Sequence, residues 1–210
     1  MVCYVTDRKS AGPPDLTTSV MQCIRTAIAA GADWVQIREK DLAGRKLLGL
    51  AQEAVEAAAS QVRILVNDRL DIALAAGAAG VHLGGDSLPA REVVRWCRKG
   101  KVSADFLVGV SCHSIEDARE AESAGANYIF FGPVFDTPSK QRFGAPQGIA
   151  KLTEVCRAVR IPTIAIGGIS AENAAECIRA GAAGIAAIRL FQEQRDSTAL
   201  REIVKRLHAG

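Results

Sequence analysis

The tripeptide Ala-Gly-Ala returns four times along the chain, and each copy opens a segment of the same character. The segments read AGADWVQIR at 30–38, AGAAGVHLG at 76–84, AGANYIFFG at 124–132 and AGAAGIAAI at 180–188. Their glycines, at positions 31, 77, 125 and 181, are 46, 48 and 56 residues apart. Each interval is long enough for two strand–helix pairs, so the repeat indicates a fold built from repeated supersecondary units.

Each copy predicts the end of a helix and the start of a strand. A segment with helical periodicity precedes it and an apolar run follows it. Glycine is the usual residue just past a helix C-terminus, where a positive φ is needed, and small alanines allow a tight turn. Further strand candidates lie between the copies: VCYVT at 2–6, VRILVN at 62–67, DFLVGVS at 105–111 and IPTIAIGG at 161–168. Eight strands thus alternate with eight helical stretches.

This alternation predicts an α/β fold. Near-continuous apolar strands separated by helices indicate a parallel sheet that is covered by helices. Eight such units in 210 residues suit a small (β/α)₈ TIM barrel that occupies residues 1–210 as a single domain. A doubly wound open sheet is the alternative, and the fourfold repeat favours the closed barrel. In such barrels the active site lies at the carboxyl ends of the strands.

Composition narrows the compartment and the partners. No apolar run reaches the roughly 20 residues that span a bilayer, and the N-terminus lacks a signal-peptide layout, so we expect a cytoplasmic protein. The six cysteines are far apart and are expected to be free thiols. A net charge of +3 without a basic block excludes a nucleic-acid footprint but suits an anionic small molecule. Whether the barrel forms a homo-oligomer is left open.

Strand 2 ends in three polar residues at alternate positions, Gln36, Arg38 and Lys40. Alternate strand residues share one face. Arginine offers a planar fork for two phosphate oxygens and lysine a mobile point charge. We therefore predict an anion site here. The alternative is a solvated strand end that pairs with Glu39 and Asp41.

Two aspartates follow neighbouring strands and are candidate metal ligands. Asp68 follows Asn67 at the end of strand 3, and Asp86 follows strand 4. Magnesium usually takes one or two protein carboxylates together with phosphate oxygens. Either aspartate is alternatively the cap of the helix that follows.

The loop after strand 5 carries His113, which is placed for acid–base chemistry or is an ordinary loop histidine. Ser114 and Asp117 next to it predict a helix N-cap and an acidic first turn.

The last three strands lead into candidate phosphate ligands. Hydroxyl groups next to a lysine, suited to phosphate, follow strand 6 in the segment 137–140. Gly167 and Gly168 follow strand 7, and with the backbone after strand 8 they form the phosphate cradle that recurs in such barrels.

In this order and at these strand ends, the motifs resemble the thiamine phosphate synthase / TenI family over essentially the whole chain. The motifs are Gln36-x-Arg38-x-Lys40, Asn67-Asp68, His82-Leu83-Gly84, Gly109-Val110-Ser111, Gly132-Pro133 with Thr137-x-Ser139-Lys140, and Gly167-Gly168-Ile169. Synthases of this family are barrels that join a hydroxymethylpyrimidine diphosphate to a thiazole phosphate and release pyrophosphate. The resemblance implies this transferase activity, a dissociative mechanism and Mg²⁺.

The resemblance also implies the role of each site residue. The diphosphate would be held by Gln36, Arg38, Lys40, Asn67 and Lys140, with Asp68 as a magnesium ligand. Charge on the leaving group would be stabilised by Arg38, Lys40 and Lys140. Ser111 would contact the pyrimidine. The thiazole phosphate would be held by Thr137, Pro138, Ser139, Gly168 and the backbone of Ile188 and Arg189.

Two departures keep alternatives open. The second magnesium carboxylate of the synthases falls on Ser87, unless Asp86 substitutes from one position earlier. Arg189 stands where the family commonly has serine. The TenI branch implies a metal-independent thiazole tautomerase with His113 as its acid–base group. A barrel that binds thiazole phosphate without catalysis is the third reading. The complete set of diphosphate ligands favours the synthase.

Overall fold

The computed structural model describes residues 1–10, 16–137, 145–194 and 197–209. Its strands form a closed parallel barrel in chain order, β1 to β8, which confirms the predicted (β/α)₈ class over the open sheet. The strands are β1 (Val2–Val5), β2 (Trp34–Ile37), β3 (Arg63–Asn67), β4 (Gly80–Leu83), β5 (Leu107–Cys112), β6 (Tyr128–Phe131), β7 (Thr163–Ile166) and β8 (Gly184–Ala187).

A helix follows each strand, as predicted, and the last strand is followed by two. The helices are α1 (Leu16–Ala29), α2 (Gly44–Ala58), α3 (Leu70–Ala75), α4 (Ala90–Trp96), α5 (Ile115–Ala124), α6 (Gly148–Ala158), α7 (Ala174–Arg179), α8 (Arg189–Gln192) and α9 (Ser197–Ala209). A wider π-helical turn, Cys97–Lys101, continues α4. No helix among the described residues is long and apolar enough to cross a membrane.

The four Ala-Gly-Ala copies all form the same helix ending. Their glycines have positive φ angles of 87°, 68°, 87° and 101° in chain order. In each copy the second alanine donates its backbone N–H to the residue five positions earlier, and the glycine donates to the residue three positions earlier. This pair of bonds is the Schellman motif, which satisfies the last carbonyl groups of a helix.

The residue after each copy attaches the chain to the preceding strand. The backbone N–H groups of Asp33, Ala79, Asn127 and Ala183 donate to the carbonyls of Val2, Ile64, Val108 and Thr163 at 2.9, 2.8, 2.8 and 2.8 Å. A four-residue unit thus ends a helix and sets the register of the next strand. The repeat therefore predicts both the helix boundary and the point where parallel pairing begins.

The chain divides into two compact units. The first comprises Met1–His82 with Ile188–Gly210, and the second comprises Leu83–Ala187. In the first unit, Val5 lies opposite Gln36 near the carboxyl ends of β1 and β2.

The second unit contains strands β5 to β8 in the same parallel arrangement. Ser111 lies opposite Phe130 on β6, and Ala165 on β7 lies opposite Ile185 on β8. Large aromatic side chains such as Tyr128 and Phe130 are buried in this unit.

Gly109 on β5 is required by close packing against the Tyr128 ring. A Cβ at this position would lie 2.0 Å from Cζ and 2.4 Å from the hydroxyl oxygen of Tyr128. We predict that Gly109→Ala lowers the free energy of unfolding by about 1–3 kcal/mol, since overpacking forces neighbours to shift. Urea unfolding measures this. Gly49→Ala is the control, because a Cβ in α2 would have no neighbour within 4 Å and helix propensity favours alanine by about 1 kcal/mol. Equal stability of the two variants would contradict the packing argument.

Candidate active site

The polar residues after β2 leave the strand earlier than predicted. The strand ends at Ile37, so Gln36 lies within it while Arg38 and Lys40 lie in the loop beyond. Gln36 is buried, Arg38 is half-buried and Lys40 is exposed. The prediction that all three side chains share one strand face is therefore wrong for Arg38 and Lys40, whose positions depend on the loop.

The acidic residues next to these cations have other partners. The carboxylate of Glu39, which is 5% exposed, accepts a hydrogen bond from the Thr6 hydroxyl at 2.6 Å. It also accepts from the Arg8 backbone N–H at 3.1 Å. Asp41 pairs with the Arg8 guanidinium at 2.7 Å and with Lys9 at 3.0 Å. The alternative of a solvated strand end in which Arg38 and Lys40 pair with Glu39 and Asp41 is therefore wrong, because both acids bind the segment after β1.

Burial has the largest effect on Glu39 and raises the pKa of its carboxyl. The hydrogen bonds from Thr6 and Arg8 act in the opposite direction.

Behind the loop, three side chains of the first unit form a relay. Gln36 Nε2 donates to Asn67 Oδ1 at 3.0 Å, and Asn67 Nδ2 donates to Asp68 Oδ2 at 2.6 Å. Asp68 has a φ of 62°, a conformation that aspartate and asparagine adopt more readily than most residues. The relay connects a buried amide to a half-buried carboxylate at the end of β3.

The carboxylate of Asp68 sets the direction of the relay. An ionised carboxylate only accepts, so the amide nitrogen of Asn67 must face it, and the Asn67 oxygen must then face a donor on Gln36. Gln36 Oε1 consequently points away from the relay as an acceptor. It is buried, and the described residues offer it no hydrogen-bond partner. Sequence reasoning identified all three residues but not this polarity.

His82 lies opposite Asn67 in the β3–β4 register and is 1% exposed. Burial lowers the pKa of its imidazole to about 3, although the nearby Asp68 carboxylate acts in the opposite direction. His82 is therefore neutral at ordinary pH.

The aspartates proposed as metal ligands do not cap the next helices with their side chains. The cap position of α3 is Arg69 and that of α4 is Pro89, and neither helix has a side-chain cap bond. Asp86 is exposed. Among the described residues no three His, Cys, Asp or Glu side chains cluster as a metal site. The hard oxygen of the Asp68 carboxylate still suits Mg²⁺, which takes few protein ligands when substrate phosphates supply the rest.

The predicted N-cap after β5 is confirmed. Ser114 Oγ accepts from the Asp117 backbone N–H at 3.0 Å, and Asp117 accepts from the His113 backbone N–H at 2.8 Å. The Nδ1 atom of the exposed His113 ring bonds the Gly132 carbonyl. A carbonyl only accepts, so Nδ1 carries the proton and a neutral His113 presents the lone pair of Nε2.

The two residues that precede His113 differ in character. Ser111 is half-buried near the end of β5. Burial raises the pKa of the neighbouring Cys112 thiol to about 12, so this cysteine is not a nucleophile at neutral pH.

The glycine pair after β7 is fixed by contact with the segment after β6. Gly167 and Gly168 have φ angles of 96° and 66°. A Cβ on Gly167 would lie 2.5 Å from Pro133 Cα, and one on Gly168 would lie 2.5 Å from the Asp136 carbonyl oxygen. Only glycine fits either position.

The remaining predicted ligands fall into two groups. Thr137 is buried, while Pro138, Ser139 and Lys140 lie outside the described residues. Ile188 directly follows β8 and is half-buried, and the exposed Arg189 begins α8.

His82 generates a prediction about acid stability. An unfolded chain takes up a proton at its ordinary pKa of about 6.5, whereas the folded chain excludes it down to about pH 3. Protonation therefore favours the unfolded chain, and the free energy of unfolding falls by roughly 1.4 kcal/mol per pH unit for one proton as the pH falls below about 6.5. We expect His82→Gln to lose less of its unfolding free energy between pH 6 and pH 4 than the wild type. Urea titrations in a chelating buffer measure both slopes, and equal slopes would refute the assignment.

The chain is similar to known proteins in sequence and in fold. A family model described as thiamine monophosphate synthase matches residues 2–191. The thiamine-phosphate synthase of Roseiflexus castenholzii is 40% identical over 189 residues, which are 90% of this chain and 79% of that protein. That of Chlorobium phaeobacteroides is 37% identical over 209 residues, 97% of this chain and 96% of that one. The structure of a thiamine phosphate pyrophosphorylase from Pyrococcus furiosus matches with a TM-score of 0.84 at 29% identity, covering 98% of this chain and 94% of that one. The chain therefore belongs to the thiamine monophosphate synthase family.

Proposed function

We propose that the protein is a thiamine phosphate synthase, a transferase that joins hydroxymethylpyrimidine diphosphate to thiazole phosphate and releases pyrophosphate. One observation carries the proposal beyond family membership. Glu39 and Asp41 are occupied by the segment after β1, and Arg38 and Lys40 have no acidic partner among the described residues. Two cations without a counter-ion at strand ends suit a ligand with several negative charges.

In this proposal, the strand ends of the first unit hold the diphosphate. Arg38 binds phosphate oxygens through its planar fork and Lys40 through its ammonium group. Asp68 would hold Mg²⁺ there, and Asp86 stays the candidate second carboxylate that the resemblance implies. When bound, Mg²⁺ would neutralise part of the charge on the diphosphate. Asn67 orients Asp68 through the 2.6 Å hydrogen bond.

The polarity of Gln36 changes its proposed role. A diphosphate offers only acceptors to the protein, whereas Gln36 Oε1 is itself an acceptor. Because the relay holds this orientation, Gln36 suits an N–H donor of the substrate better than a phosphate oxygen. We therefore assign Gln36 to the aminopyrimidine part of the diphosphate substrate, together with Ser111.

In the proposal, the residues after β6, β7 and β8 hold the thiazole phosphate. The backbone of Gly167 and Gly168 directly follows β7 and is proposed to bind phosphate oxygens, as in other barrels of this kind. The other ligands keep the roles that the resemblance implies, namely Thr137, Pro138, Ser139, and the backbone of Ile188 and Arg189, with Lys140 on the diphosphate.

The proposed reaction is dissociative. The bond between the pyrimidine methylene carbon and the diphosphate oxygen breaks, and pyrophosphate leaves with the electron pair. The thiazole nitrogen then attacks the resulting pyrimidine methyl cation, and the positive charge passes to the thiazolium ring. Arg38, Lys40 and Lys140 stabilise the negative charge that develops on the leaving group. The mechanism needs no protein nucleophile, in keeping with the inert Cys112 thiol.

The cytoplasm stays the proposed location. All six cysteines are free thiols, which suits a reducing compartment.

The first test is the dependence of coupling on magnesium and on Asp68. We expect Asp68→Asn to lower the rate of product formation by about 10²-fold, because it weakens charge stabilisation at the leaving group. Mass detection of the coupled product, with both substrates and with or without Mg²⁺, measures this. Asp71→Asn is the control, since Asp71 is an exposed aspartate that pairs with Arg69. Full turnover in the presence of a chelator would contradict a magnesium-dependent synthase. Binding of the substrates without any turnover would indicate a binding protein.

Thiazole tautomerase is the second candidate function, and the His113 ring favours it. The hydrogen bond to Gly132 fixes the ring with a free Nε2 lone pair, which is the arrangement of a general base. Such an enzyme would move a proton on a thiazole carboxylate phosphate without metal.

We expect the wild type to show no His113-dependent exchange of thiazole protons when the diphosphate substrate is absent. NMR of the thiazole carboxylate phosphate in deuterated buffer measures the exchange. The matched control is His208→Ala, a variant of an exposed histidine on α9. Rapid exchange that is lost in His113→Ala but kept in this control would support the tautomerase and contradict the synthase.

A further inference from the structure

A network of two buried residues and one half-buried residue connects the segment after β1 to the loop that carries Arg38 and Lys40. Its members are Thr6, Arg8 and Glu39, here called the β1–β2 clamp. Glu39 Oε1 accepts from the Thr6 hydroxyl at 2.6 Å and from the Arg8 N–H at 3.1 Å, and Oε2 accepts from the same N–H at 3.2 Å. The Arg8 guanidinium lies 3.6 Å from Oε2.

The Thr6 hydroxyl transmits the position of Glu39 to Arg38. A hydroxyl has one proton, and the Glu39 carboxylate only accepts, so Thr6 must donate to Glu39. Its lone pairs are then free to accept, and the backbone N–H of Arg38 donates to Thr6 Oγ1 at 2.9 Å. Thr6 is fully buried, and its bond to Glu39 is buried as well, while its bond to the Arg38 N–H is partly buried.

The same segment also fixes the backbone after Lys40. Asp41 accepts two parallel hydrogen bonds from the Arg8 guanidinium, at 2.7 and 3.0 Å. Lys40 therefore stands between Glu39 and Asp41, whose side chains both contact Arg8. The Arg8 charge is used in these contacts and not offered to a ligand.

A carboxylate in this place needs an explanation other than stability. Burying a charge is costly, and a negative group next to an anion site opposes ligand binding. Hydrogen bonds from Thr6 and Arg8 offset the cost but leave no net advantage over an apolar residue. The carboxylate does, however, set the Thr6 hydroxyl and place the backbone on both sides of Arg38 and Lys40.

We propose that Glu39 is a positioning residue for diphosphate binding, which acts through Thr6 and Arg8 on the backbone that presents Arg38 and Lys40. The inference rests on the proposed function. It concerns the diphosphate alone, so the clamp should affect one substrate of the coupling reaction and spare the other.

Two substitutions at Thr6 separate positioning from packing. Thr6→Val keeps the shape and removes the hydroxyl, whereas Thr6→Ser keeps the hydroxyl and leaves a small cavity. Positioning predicts that Thr6→Val raises the Kd for inorganic pyrophosphate, measured by calorimetry with Mg²⁺, by about fivefold to tenfold. Thr6→Ser should stay within about twofold of the wild type. If Thr6 acted only through packing, Thr6→Ser would raise the Kd more than Thr6→Val, because the serine variant is the one that leaves a cavity.

Glu39→Gln should show the same loss as Thr6→Val, since an amide cannot accept every bond that the carboxylate does. The matched control is Glu53→Gln on α2, an exposed glutamate paired with Arg25. In coupling assays the KM for the diphosphate substrate should rise by about fivefold to tenfold, while the KM for thiazole phosphate stays unchanged.

The outcomes keep the two proposals apart. Wild-type protein that binds pyrophosphate without coupling the substrates would end the proposed function, and the ranking of the Thr6 variants in pyrophosphate binding would still decide the inference. An active wild type with equal Kd values in Thr6→Val, Thr6→Ser and Glu39→Gln would overturn the inference alone. A parallel rise of both KM values in folded protein would also overturn it. Wild-type protein without pyrophosphate binding or activity would refute both.

Discussion

The left-handed glycine at the end of four helices is the constraint on which the barrel depends. In each copy the glycine reverses the chain, and the residue two positions later donates to the preceding strand at 2.8 or 2.9 Å. A helix stop and a strand register are thus fixed by the same few backbone atoms. A side chain with a Cβ would be strained at these φ angles, so the repeat in sequence follows from a repeated backbone requirement.

Given that register, the proposed anion site depends on how acidic and basic side chains are distributed in the first unit. The first unit carries acidic and basic residues in alternation from Arg38 to Asp41. The acids turn toward the segment after β1, where Thr6, Arg8 and Lys9 receive them. Arg38 and Lys40 have no acidic partner in the described part of the chain, which is why they are proposed to bind an anion. Because Glu39 and Asp41 bind the segment after β1, the positive charges of Arg38 and Lys40 are separated from the neighbouring acids, although the net charge of the protein is only +3.

Much of this could be predicted from sequence because it is local. The eight strands, the glycine helix stops and the Ser114 cap each depend on residues within a few positions of one another. The partners of Glu39 could not be predicted, because Thr6 is 33 residues away and the contact depends on the β1–β2 register. The prediction that Arg38 and Lys40 continue the alternation of β2 failed for the same reason, because the β1–β2 clamp binds the loop after Ile37 through contacts that are distant in sequence. The direction of the Gln36 relay required knowing which atoms face Asp68.

The distribution of titratable groups bears on the choice between the two reactions. A tautomerase depends on a proton carrier, and the chain has three histidines. Burial lowers the pKa of His82 to about 3. His208, on α9, is paired with Asp33. Only His113 lies at a strand end with a free ring nitrogen. By contrast, the described residues of the first unit hold two hydrogen-bonded networks. One contains Gln36, Asn67 and Asp68, and the other contains Thr6, Arg8 and Glu39 and binds the backbone of Arg38. Buried polar networks are costly where a member lacks a partner, as Gln36 Oε1 does among the described residues, so they indicate a functional rather than a stabilising role. These networks therefore suit the proposed coupling reaction better than the proton transfer of a tautomerase.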